Sequence, residues 1–64
     1  MADGAVVHRG TVTVHFDVRE WQVGESRGEP ELRYDWIADT GNESAETFDS
    51  IEQATTDAYR TLGG

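Results

Sequence analysis

The stretch TVTVHFDVREWQV, residues 11–23, decides how this chain folds. Val12, Val14, Phe16 and Val18 fall on one side, and Thr11, Thr13, His15 and Asp17 on the other. Period-two alternation of this kind is the pattern of a half-buried antiparallel strand. It continues through Trp21 and Val23, which fall on the polar side. The following GESRGEP, residues 24–30, reads as a loop by its Gly, Ser and Pro content. ELRYDWIAD, residues 31–39, then alternates again, with Leu32, Tyr34, Trp36 and Ala38 in step. The two runs form a long hairpin.

TGNES, residues 40–44, breaks the pattern, and AETF, residues 45–48, reads as a short third strand. A helix follows. Asp49 with Glu52, or Ser50 with Gln53, has capping-box spacing, in which each member satisfies a free backbone N–H at a helix start. Ile51, Ala54, Ala58 and Leu62 lie at spacings of three, four and four, forming one apolar stripe. Gly63 suits the left-handed residue that ends a helix. The expected fold is therefore α+β: a three-stranded antiparallel sheet with one C-terminal helix packed on one face, in the order β-β-β-α. Residues 1–64 make one domain, with 1–5 expected to stand outside the ordered part. The two alanines of the stripe place the helix close under Phe16, Tyr34 and Trp36.

Composition narrows the function. A chain of 64 residues buries only about 60% of its unfolded surface and is marginal without a staple or partner. It has no cysteine, so disulfides and thiolate metal sites are excluded. No apolar run approaches the roughly 18 residues of a membrane span, and no basic leader precedes an apolar stretch, so a cytoplasmic location is expected. Thirteen Asp and Glu face five Arg, with no Lys, for a net charge of −8. Such a body repels itself at low ionic strength.

A hairpin pairing positions whose numbers add to about 54 keeps equal parity on one face. The face away from the helix then carries His15, Asp17, Arg19, Trp21, Arg33, Asp35 and Ile37, with Val23 beyond. Cross-strand pairing of opposite charges accounts for the Arg and Asp side chains. It does not account for Trp21, Val23 and Ile37, which form an apolar patch with a charged rim, the anatomy of an interface. The candidate contact residues are Trp21, Val23, Ile37, Arg19, Arg33 and His15.

The lysine-free, acidic composition resembles that of small β-β-β-α domains from salt-loving archaea. Three short strands before a helix opened by TFDSIEQA, residues 47–54, also resemble the arm domain of tyrosine-family integrases. In that family the sheet lies in the DNA major groove, which implies groove-facing roles for Arg19, Trp21 and Arg33. The charge departs from the family, because integrase arms are basic and phosphate binding rests on Lys and Arg.

His15 and Asp17 share a strand face, but no third or fourth ligand is specified, so no metal and no cofactor are expected. No nucleophile–base set and no glycine-rich phosphate loop is present, so an enzymatic role and a small-molecule substrate are discounted. Gly63-Gly64 follows a helix, unlike the strand-borne diglycine tail of ubiquitin-like modifiers. The expected function is non-catalytic association through the uncovered sheet face, as a homodimer or with another protein. The alternative is a nucleic-acid-binding module using the same face.

Overall fold

The structure is a computed structural model that describes residues 3–63. Three antiparallel strands, β1 (Asp3–Thr11), β2 (His15–Ser26) and β3 (Glu29–Ala38), lie in the order β1-β2-β3 and are followed by one helix, α1 (Ile51–Gly63). The architecture is the expected α+β, β-β-β-α arrangement. Among the described residues no helix is long and apolar enough to cross a membrane.

The outer strand is not the expected one. β1 comes from the N-terminal segment, with Asp3, Gly4 and Ala5 inside it; residues 1 and 2 lie outside the described residues. AETF does not form a strand. Instead residues 42–48 run irregularly along the outer edge of β3, with isolated bridges from Glu43 to Ile37 and from Phe48 to Tyr34. Tyr34 and Phe48 exchange both backbone bonds, at 2.9 and 2.7 Å, and the Ser44 N–H donates to the Trp36 carbonyl at 2.9 Å. The free bonding groups of that edge are thus largely taken.

Two further boundaries move. Residues 12–14 are the β1–β2 turn rather than strand, closed by a bond from the Val12 N–H to the Val14 carbonyl at 3.0 Å. Val12 and Val14 nevertheless pack against the core, so the alternation correctly marks the buried side while hiding the reversal. The expected loop 24–30 is mostly strand: Glu25 pairs with Pro30 and Ser26 with Glu29. Only Arg27 and Gly28 turn, both with positive φ (54° and 79°), the pairing a tight hairpin requires. The pair flanking such a turn takes both ladder bonds, so the next pair points its N–H groups outward. Pro30 sits in that next pair, where its missing N–H costs nothing.

Phe16, Val18, Trp36, Ala38, Ala54 and Ala58 are fully buried, with Val12, Val14, Tyr34, Phe48, Ile51 and Leu62 packed around them. Leu32, in step with this row, is only half-buried and stands apart from the cluster. Gly10 opposes Phe16, and a Cβ there would lie 2.4 Å from the ring, so the glycine leaves room for the aromatic side chain. The Tyr59 ring meets Phe16 edge-on, with centroids 5.5 Å apart.

Both ends of α1 are tied. The Gln53 N–H donates to Ser50 Oγ at 3.2 Å, and the Asp49 N–H donates to Gln53 Oε1 at 3.1 Å, which selects the Ser50–Gln53 form of the cap. At the other end Thr13 Oγ1 donates to the Leu62 carbonyl at 3.2 Å. Gly63 is the last helical residue rather than a left-handed terminator; a Cβ there would lie 3.0 Å from Val12 Cγ2. The glycine therefore serves a close approach to the β1–β2 turn.

A polar bond joins helix to sheet. Trp36 Nε1 donates to Asp57 Oδ2 at 3.0 Å, and Arg60 donates to Asp57 Oδ1 at 2.8 Å. The Trp36 bond, then Arg60, holds the Asp57 carboxyl below its ordinary value, against the opposing effect of burial. A carboxyl with a depressed folded pKa contributes stability that is present above its unfolded pKa and lost as pH falls through the folded one. The stability advantage of the wild type over Asp57→Asn should therefore shrink below about pH 4. Urea unfolding of both proteins between pH 7 and pH 2.5 measures this; a constant gap would mean that the charge of Asp57 contributes nothing.

Candidate functional site

From Phe16 to Gln22, β2 pairs with β3 at positions adding to 54. This register sets Arg19 against Asp35 and Trp21 against Arg33. Because Phe16, Val18 and Trp36 face the helix, the opposite parity lies on the uncovered side.

At the centre of that face three side chains form one unit. Arg19 donates from Nε to Asp35 Oδ1 at 2.9 Å and from a terminal nitrogen to Oδ2 at 2.7 Å, a two-pronged ion pair. Trp21 Nε1 donates to the same Oδ1 at 3.0 Å. The Arg19 guanidinium lies 5.3 Å from the centroid of the Trp21 ring, within cation–π range. Glu43, from the segment along β3, approaches Arg19 at 3.5 Å. The Asp35 hydrogen bond raises the Arg19 pKa further, with burial opposing it. The side chains of Arg19 and Asp35 are only 20% and 15% exposed, so this pair is far less screened than an ordinary surface ion pair. Two hydrogen bonds from Arg19 and one from Trp21 fix its geometry.

The other candidate residues occupy different places. Arg33 is on the same face but is engaged elsewhere: it donates to Thr47 Oγ1 at 3.1 Å and to the Thr47 carbonyl at 3.0 Å, and pairs with Asp49. It thereby anchors the segment that leads into α1. Ile37 is half-buried, opposite Asp17 and bridged to Glu43. Val23 sits at a bulge between Gln22 and Gly24 and is 58% exposed, out on the projecting end of the hairpin. His15 begins β2 at the far end of the face, exposed, its Nδ1 2.9 Å from Thr11 Oγ1. It borders a depression of about 410 Å³ lined also by Arg9, Phe16, Asp17 and Asp39, in which Arg9 and Asp17 pair at 3.4 Å. Among the described residues no three His, Asp or Glu side chains gather as a metal site.

One participant escapes a reading of the sequence, and another is placed by it only as a charge partner of Arg19. Asp35 is the hub of the central unit, because it accepts from both Arg19 and Trp21. Val6 of β1, opposite Arg19, adds an exposed apolar side chain to the face. The signal for Val6 is the β1–β2 register, which the glycine-broken N-terminal segment conceals.

Each arginine of this face is paired with a carboxylate, Arg9 with Asp17, Arg19 with Asp35 and Arg33 with Asp49, while Glu43 and, further along β3, Glu31 add negative charge. The chain matches no known family model, no curated protein and no solved structure.

Proposed function

We propose that this chain is a non-catalytic association domain that docks a second copy of itself through the uncovered sheet face. The observation that carries the reading is the pre-formed Arg19–Trp21–Asp35 unit at the centre of a face whose three arginines are each paired with a carboxylate. Trp and Arg are the side chains that most often dominate interface energy, and a locked pair loses little entropy on binding. On a body of charge −8, two copies meet with least repulsion through the face that holds three of the five arginines. Burying Trp21, Ile37 and Val6 together would enlarge the apolar interior of a domain with only a small core. A phosphate contact, by contrast, would require Arg19 and Arg33 to leave the carboxylates they already hold.

Sedimentation equilibrium tests the reading. Self-association should strengthen as KCl rises, because salt screens the repulsion between copies and favours apolar burial. Trp21→Ala should raise the face-to-face dissociation constant by about 30-fold, as removal of a hot spot worth roughly 2 kcal/mol does. A monomer at every salt concentration, or an assembly indifferent to Trp21→Ala, would sink it.

A further inference from the structure

The two edges of the sheet are treated unequally. Residues 42–48 occupy the outer edge of β3, whereas no described segment lies along the outer edge of β1. An open edge presents a row of unpaired backbone groups and is a template for another strand. Proteins blunt such edges with lysines, prolines, short length or bulges. β1 has bulges, at Gly4 and Val7, but it runs for nine residues with neither Lys nor Pro.

Its side chains invite rather than deter pairing. Val6 and Val7 are adjacent and 45% and 38% exposed, two of the four large apolar side chains that stand in solvent among the described residues. Gly4–Thr11 also contains no carboxylate, only His8 and Arg9, on a chain with thirteen Asp and Glu. At this edge two copies of an acidic molecule can meet without opposing acids.

We infer that β1 is a second contact strand, pairing antiparallel with β1 of another copy. With the twofold axis between Val6 and Val7, Val6 of one copy faces Val7 of the other. Ala5 then faces His8 and Gly4 faces Arg9, so no like charges are opposed. Antiparallel edge pairing about an axis perpendicular to the sheet keeps both helices on one side. The product is a six-stranded sheet, twice the three-stranded one, with both uncovered faces on the other side. Val6 lies opposite Arg19 on that face, so Val6 of each copy helps join the two Arg19–Trp21–Asp35 units into one surface. Two such sheets packed by the face contact proposed above close as a tetramer with perpendicular twofold axes, helices outside. The edge contact does not depend on the face contact.

The test is sedimentation equilibrium in molar KCl of wild type, Trp21→Ala and Val7→Lys, which leaves Val6 of the face contact in place, each checked by circular dichroism for an unchanged fold. The lysine reduces the net negative charge, so a fall in mass in that variant cannot come from added net repulsion. The expected result is a tetramer for the wild type and a dimer for each variant. If the valine variant alone halves the mass, the edge contact stands and the face reading fails. If Trp21→Ala alone does so, or the wild type is monomeric, the edge contact is overturned. Should Val7→Lys unfold, Val7→Thr keeps strand propensity while weakening the apolar contact, and the same outcomes apply.

Discussion

Trp36→Ala is expected to remove a large share of the folding stability of this chain. The indole is fully buried at the centre of the core, and truncating a buried tryptophan costs about 3–5 kcal/mol. It also bonds Asp57, a polar tie between sheet and helix, and its removal leaves that half-buried carboxylate with Arg60 alone. Against this, a chain of 64 residues has a total stability of roughly 3–10 kcal/mol. At about 4–8 °C per kcal/mol in a domain of this size, the melting temperature should fall by at least about 12 °C. Trp36→Phe separates the two contributions: it keeps most of the apolar volume, removes the N–H donor, and should cost about 1–3 kcal/mol. Thermal melts followed by near-ultraviolet circular dichroism read both variants. A Trp36→Ala protein melting within a few degrees of wild type would mean that the core lies elsewhere.

The same residue shows what was legible in the sequence. Trp36 and Phe16 could be placed in the core because two alternating runs share one parity, and the register adding to 54 follows from aligning them. The helix was legible for the parallel reason that its stripe and its Ser50 cap agree. β1 was not legible, because Gly4 and Gly10 interrupt it and two bulges break its period of two. Its role is set by β2, which lies alongside, rather than by its own propensity. The turn at 12–14 was hidden because Val-Thr-Val carries no turn residue and keeps the alternation in phase. The hairpin tip failed in the opposite sense: Gly24, Gly28 and Pro30 suggest a wide loop, yet only Gly28 lies in the turn itself. Arg33 illustrates a third limit. Its face was readable, but its partners Thr47 and Asp49 belong to an irregular segment whose path no periodicity encodes.

Asp35 offers the sharpest separation of fold from association. Asp35→Ala would leave three donors, two from Arg19 and one from Trp21, without their shared acceptor. Removing one member of a fully buried ion pair costs about 3–5 kcal/mol; with both side chains partly exposed, about 2–3 kcal/mol is expected. Asp35→Asn keeps one acceptor oxygen and should fall between Asp35→Ala and wild type. The informative protein is the double variant Arg19→Met/Asp35→Leu, which removes both charges and keeps comparable apolar volume. Its stability should return to within about 1 kcal/mol of wild type, because the penalty in Asp35→Ala is a stranded cation rather than a missing attraction. Water can take over the Trp21 N–H at this half-exposed position. If the Arg19–Trp21–Asp35 unit exists only to hold β2 against β3, the double variant should also associate as wild type does. If the unit is the docking surface, urea unfolding should find the fold intact while sedimentation finds that the two faces no longer associate. A double variant as unstable as Asp35→Ala would instead make the ion pair a stabilising element in its own right and remove the reason to regard it as a surface held ready for a partner.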